Sequence, residues 1–182
     1  QPEKVVKFYK TVLEAEGFYE NSNLTFLTYD DEHHRLAIFR VPGLGRASRG
    51  KAGVDHVAFT YRNLKELVST YVRLKDAGIE PVWTTHHGGT LSFYYADPDN
   101  NLAELQVDVH KDVKSLEQYL VSEDFSINPV GVDFDPEEIR ARLERGDKQA
   151  DILERHADGP RDMTTIPREI VGSLHWMIIR IA

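Results

Sequence analysis

The sequence predicts an α+β fold built from two related modules, and three observations carry that prediction. Residues 54–109 read as a strand, a helix and three further strands. Residues 1–41 read as a helix followed by strands, with no leading strand. A strand pattern of the missing kind, Ser173 to Ile181, stands at the far end of the chain. The element type in each case comes from the spacing of apolar residues, near 3.6 for helices and 2 for strands.

Taken in order, the first helix covers residues 2 to 16. Pro2 suits a first turn, and Val5, Val6, Phe8, Tyr9, Val12 and Leu13 give the apolar stripe, with Gly17 as the stop. Strands follow at Leu24 to Tyr29 and His34 to Arg40, joined by the acidic turn Asp30-Asp31-Glu32. The stretch from Pro42 to Gly53 is rich in Gly, Arg and Ser and reads as a loop. Val54 to Tyr61 is a strand, and Asn63 caps a helix that carries Leu64, Leu67, Val68, Tyr71, Val72 and Leu74 on one face. Gly78 ends that helix. Strands are expected at Glu80 to Thr84, Leu91 to Ala96 and Asn101 to Val109, the last two joined by a tight turn on Asp97-Pro98-Asp99-Asn100.

Residues 110–162 form an extension with a weak helix at Val113 to Val121 and a better one from Asp135-Pro136 to Arg145. It carries no chemical motif and is expected to pack over the sheet or to cover one mouth of the site. Beyond it, the order of the modules is unusual. Leu174-His175-Trp176 running on through Ala182 into Gln1 and Pro2 mirrors Val54-Asp55-His56 leading into the second helix. Met163-Thr-Thr-Ile-Pro looks like a start of translation. These features predict a circularly permuted order, with the natural amino end near Met163 and the two chain ends adjacent in space. The domain reading is therefore residues 1–109 together with 163–182 as one catalytic domain. Its first module is 173–182 plus 1–41, its second is 53–109, and 110–162 is the extension.

Composition narrows the function. The 182 residues include no Cys, which excludes disulfides, thiolate metal sites and thiol catalysis. A net charge of −8 argues against a nucleic-acid partner, because phosphate binding needs a basic surface. No apolar run approaches the roughly 20 residues of a membrane span, and no signal peptide is visible, so a cytoplasmic protein is expected. Eight His without Cys leave imidazole and carboxylate as metal ligands, a set suited to iron, manganese, nickel or zinc.

Glu104 is the residue around which a site can be built. Alternation puts Ala103, Leu105 and Val107 on one face and Leu102, Glu104, Gln106 and Asp108 on the other. A carboxylate turned inward needs a partner, either a basic side chain or a metal ion. His56 shares a face with Val54, Ala58 and Thr60, opposite Val57, Phe59 and Tyr61, which are expected to pack on a helix. His175 shares a face with Met177 and Ile179. Each His alone fits a satisfied core or rim histidine. Two at matching positions of first strands, with Glu104, make a two-His-one-carboxylate set that leaves coordination positions open for substrate and dioxygen.

These residues carry a family resemblance. The strand bearing His175 that enters Phe8-Tyr9, and the run Tyr94, Asp97-Pro98 and Glu104, resemble the vicinal oxygen chelate superfamily of glyoxalase I, bleomycin-resistance proteins and type I extradiol dioxygenases. The resemblance covers roughly residues 170–182 and 1–109. It implies a curved, partly open mixed β-barrel with outer helices, and metal ligands at His175, His56 and Glu104. His87, Phe93-Tyr94, Asp97-Pro98 and Glu104 are most similar to the extradiol ring-cleaving signature, and His33-His34 supplies a further feature of it. Asn100 departs from the family pattern, which usually has Gly there.

The resemblance implies an Fe(II) enzyme, with Mn(II) as the alternative ion, that cleaves a catechol with O2. His34 would act as acid and base beside the dioxygen position; His87 and Tyr94 would hydrogen-bond the substrate oxygen. Trp83, Phe93, Tyr95 and Trp176 are candidates for the pocket wall or for core. A homo-oligomer is expected. Two alternatives stay open: a non-oxidative metal-dependent lyase, isomerase or epimerase, and a metal-free protein that sequesters an aromatic drug.

Overall fold

The computed structural model describes residues 1–45, 53–156 and 159–171. His175, Trp176 and the terminal strand expected around them lie outside the described residues, as does the join on which the permuted order rests. The elements run α1 (Pro2–Val12), β1 (Glu16–Glu20), β2 (Leu24–Thr28), β3 (Leu36–Phe39), β4 (His56–Tyr61), α2 (Leu64–Asp76), β5 (Trp83–His86), β6 (Thr90–Ala96) and β7 (Leu102–Asp108). The extension adds α3 (Val113–Leu120), α4 (Glu123–Ile127), β8 (Val132–Asp133), α5 (Pro136–Glu144), α6 (Gln149–Ile152) and α7 (Arg168–Val171). The fold is α+β with two sheets and no closed barrel among the described residues.

Two compact units divide the chain. One holds α1, β1 to β3 and the turn at residues 96–101; the other holds β4 to Tyr95 and the chain from Leu102 onward. In the first unit β1, β2 and β3 form an antiparallel sheet in that order. Val6 from α1, Ala15 and Leu27 from β2 make its core, with Tyr9, Leu13, Leu36 and Ile38 packed around them. The helix is shorter than its apolar pattern predicts. Leu13 caps it and Glu14 turns to a φ of 52°, so Gly17 stands inside β1 rather than at a helix stop. All five residues of β1 are exposed, which is why alternation did not reveal it. His34 precedes β3 instead of opening it.

In the second unit the order is β4-β7-β6-β5-β8. β4 and β7 are parallel, while β5 pairs antiparallel with both β6 and β8. Asn63 caps α2 as expected, its side chain accepting from the Glu66 amide at 2.9 Å. The α2 face carrying Tyr71 meets Phe93 of β6, with ring centroids 5.4 Å apart. Phe93 and Tyr95 are fully buried, which places them in the core rather than in a pocket wall. Val57 is 51% exposed, against the expectation that its face of β4 packs on a helix. The turn after β6 is set by Asp97, whose Oδ1 accepts from the amides of Asp99 (2.8 Å) and Asn101 (2.9 Å). Asn100 takes a φ of 72°, the left-handed conformation that Asn tolerates in place of Gly.

Candidate active site

Sheet register brings four of the sequence-predicted residues together. In the parallel β4–β7 pair, Ala58 stands opposite Glu104, so His56, two residues earlier, shares the Glu104 face. The imidazole reaches along that face, and its Nε2 lies 2.9 Å from Glu104 Oε2. In the β5–β6 pair Trp83 stands opposite Tyr94 and Thr85 opposite Ser92. Tyr94 and Ser92, two apart on β6, both turn towards Glu104. The Tyr94 hydroxyl donates to Glu104 Oε1 at 2.9 Å, and Ser92 also hydrogen-bonds the carboxylate. His87, just past the end of β5, places its Nε2 3.0 Å from the Tyr94 hydroxyl.

Glu104 is 4% exposed, and an isolated carboxylate at that depth would be costly. Burial pulls its pKa upward, but hydrogen bonds from His56, Ser92 and Tyr94 outweigh that pull and hold it below the usual carboxylate range. The same contact acts on His56. The Glu104 hydrogen bond, opposed by burial and helped by Asp55 at 2.7 Å from Nδ1, pushes its pKa up to about 9. Burial raises the Tyr94 pKa, and the Glu104 charge raises it further, so the phenol keeps its proton. The same hydroxyl lies within hydrogen-bond distance of both Glu104 Oε1 and His87 Nε2. Burial depresses the His87 pKa, which favours the neutral ring.

The donor set fits a divalent first-row cation. His56 Nε2 and Glu104 Oε2 converge from adjacent strands, and Asp55 holds the other ring nitrogen. A carboxylate behind the imidazole is the arrangement that orients metal-ligating His. Without a cation, the proton on His56 neutralises the buried carboxylate. Among the described residues no cluster of three or more metal-ligating side chains forms. His56 and Glu104 are two of the three ligands expected from the sequence, and the third, His175, lies outside the described residues.

The remaining predicted residue, His34, belongs to the first unit. Its ring stacks on Phe26 at 4.5 Å and meets His33 edge-on at 4.3 Å. Its Nδ1 is buried and finds no hydrogen-bond partner among the described residues. His86, the neighbour of His87, is buried at the end of β5. It is pinned by Gly88, whose amide donates to Nδ1 at 3.0 Å, and by the Leu153 carbonyl 2.9 Å from Nε2.

Sequence reasoning missed three participants. Ser92 was within reach of the argument, because the alternation that faces Tyr94 inward also faces Ser92 inward. Asp55 precedes His56 and carried no pattern of its own. The third is a backbone group, the Val130 carbonyl 2.6 Å from His87 Nδ1, which no side-chain motif could announce. Trp83, a proposed wall residue, stacks on Tyr94 at 5.1 Å and lies edge-on to His87 at 5.5 Å.

Known proteins resemble this chain in sequence and in fold. A family model described as the Glyoxalase/Bleomycin resistance protein/Dioxygenase superfamily matches residues 1–105. Biphenyl-2,3-diol 1,2-dioxygenase 2 of Rhodococcus globerulus is 38% identical over 166 residues, covering 91% of this chain and 87% of that protein. Biphenyl-2,3-diol 1,2-dioxygenase 3 of the same organism is 37% identical over 153 residues, covering 83% and 80%. Their names describe cleavage beside a diol rather than between its hydroxyls, the extradiol type. Among solved structures, the fosfomycin resistance protein FosX from Listeria monocytogenes, complexed with Mn(II) and sulfate, aligns with a TM-score of 0.50 at 22% identity, covering 65% of this chain and 89% of that one. A putative glyoxalase from Bacillus halodurans aligns with a TM-score of 0.50 at 15% identity, covering 59% and 87%. These two bear on the fold alone. With a family model over more than half its length and extradiol relatives across most of it, the chain belongs to the Glyoxalase/Bleomycin resistance protein/Dioxygenase superfamily.

Proposed function

We propose that this chain is an Fe(II)-dependent extradiol dioxygenase that opens the ring of a catechol with O2. The observation that carries the reading is the chain of contacts from His56 through Glu104 and Tyr94 to His87, found in a protein whose relatives are named as ring-cleaving dioxygenases. His56 and Glu104, with His175, would hold the metal. Bound there, Fe(II) supplies open positions at which a diol and dioxygen meet, removing much of the entropic barrier between them.

The chain's own residues do the rest. Tyr94 donates its hydrogen at a substrate oxygen and so stabilises developing negative charge. His87 accepts a proton from the substrate hydroxyl at Nε2, which burial keeps bare near neutrality. Trp83 closes the side of the site behind Tyr94. His34 would be the acid and base beside the dioxygen position, as the family resemblance implies. Both atoms of O2 enter the product, a muconic semialdehyde, with no other redox partner required. The paired-module organisation, the permuted order of its strands and assembly as a homo-oligomer remain part of this proposal.

The test is oxygen uptake by anaerobically Fe(II)-reconstituted protein against a panel of catechols. 2,3-Dihydroxybiphenyl, the diol in the names of the relatives, heads the panel. The expected result is stoichiometric uptake with a yellow ring-opened product, lost in Glu104→Ala. Iron binding without uptake on any diol would favour a non-oxidative lyase or isomerase. Failure to bind any metal would contradict the proposal at its centre.

A further inference from the structure

We propose that the loop from Asn128 to Gly131, in the extension beyond the two modules, is a positioning device that holds His87 as the Nδ1–H tautomer and so presents Nε2 to the reacting face. The proposal rests on the reading of His87 as the substrate-facing imidazole. Val130 O stands 2.6 Å from His87 Nδ1. A carbonyl only accepts, so Nδ1 must carry the hydrogen, and Nε2 of the neutral ring is left as an acceptor facing Tyr94.

The placement of that carbonyl is built in. The Asn128 side chain, 3% exposed, accepts from the Gly131 amide at 2.7 Å and donates to the Gly131 carbonyl at 3.1 Å, closing the loop from both sides. Gly131 has a φ of 119°, and a Cβ there would stand 2.7 Å from the His86 carbonyl oxygen and 2.7 Å from Thr85 Oγ1. Only glycine permits so close an approach to the strand that leads into His87. Arg155 donates to the Asn128 carbonyl at 2.9 Å, and Arg161 to the Gly131 carbonyl at 3.0 Å.

Two further contacts grip the same residue from the extension. The Tyr119 hydroxyl donates to the His87 carbonyl at 2.9 Å. Trp83, which flanks the His87 ring, donates its indole hydrogen to Asp133 at 2.8 Å. The neighbouring His86 shows that the device is specific. There the Gly88 amide donates to Nδ1, so Nε2 carries the hydrogen and is spent on the Leu153 carbonyl. Adjacent imidazoles are held in opposite tautomers, one with both nitrogens consumed by the fold and one with Nε2 kept for chemistry. The extension, which carries no motif of its own, thereby sets the chemistry of a residue some forty positions earlier.

Imidazole nitrogen NMR on the full chain without metal tests this, because proton-bearing and bare ring nitrogens have distinct 15N shifts. In the native protein His87 is expected to show a protonated Nδ1 and a bare Nε2. Asn128→Ala should mix or reverse that pattern, and in the Fe(II) enzyme should lower kcat by about 10- to 100-fold, more than it raises KM. Asn128→Asp, which keeps the acceptor for the Gly131 amide, should retain most of the pattern and serves if Asn128→Ala fails to fold. Asn63→Ala, a helix-cap loss elsewhere, controls for stability alone and should leave tautomer and kcat unchanged. A native His87 with its hydrogen on Nε2 would overturn the proposal. So would an Asn128→Ala protein that melts early yet keeps the native tautomer and kcat. A native protein that cleaves no catechol would refute the functional reading instead, and the tautomer would still decide whether the loop sets the ring.

Discussion

Glu104 sets the protonation of its neighbours, and that gives residue-scale predictions. Its contact raises the His56 pKa, so the stabilisation from that group is complete below the ordinary 6.5 and is lost as pH rises through about 9. Glu104 itself is lowered, so its contribution is present above the ordinary 4.5 and is lost as pH falls through the depressed value. Urea denaturation of the metal-free protein should therefore show a plateau between about pH 4.5 and 6.5. On the alkaline side stability should fall by about 1 to 2 kcal/mol, a figure reduced for the partial exposure of His56. His56→Gln should flatten that alkaline limb; an unchanged limb would show that the pair does not govern it. Tyr94→Phe removes the hydroxyl that contacts both Glu104 and His87. It should cost about 1 kcal/mol of stability and about 100-fold in kcat, measured by denaturation and steady-state oxygen uptake. A loss confined to stability would make Tyr94 a structural residue.

At the scale of elements, local signals were legible and long-range ones were not. The Asn63 cap, the apolar face of α2 and the Asp97-Pro98 turn are each written within a few residues, and each stands where the sequence placed it. Asn63→Ala should lower stability by about 1 kcal/mol without altering catalysis, as thermal melting and kcat together would show. β1 escaped detection because a strand with no buried residue has no alternation to read. The early end of α1 escaped because Glu14, a residue with no turn signature, takes up the positive φ. β5 runs from Trp83 to His86, later than expected, because its pairing with β6 and β8 fixes its extent rather than its own composition. In the site, the shared facing of His56 and Glu104 was readable from strand parity. The Val130 carbonyl was not, since the contact is backbone and spans 43 residues.

For the whole molecule, the site exists because parallel pairing of β4 with β7 and antiparallel pairing of β5 with β6 aim residues from distant sequence at one carboxylate. The acidic, cysteine-free composition foreshadowed a site of imidazole and carboxylate without saying where it lies. Among the described residues no helix is long and apolar enough to cross a membrane. The central claim is that this arrangement inserts both atoms of dioxygen into a catechol ring beside its diol. Reaction of the Fe(II)-loaded protein with a catechol under 18O2, followed by mass spectrometry of the product, tests it most directly. The account predicts a ring-opened semialdehyde acid, cleaved outside the diol, that gained two labelled oxygen atoms. A product without label, or one opened between the two hydroxyl carbons, would contradict it.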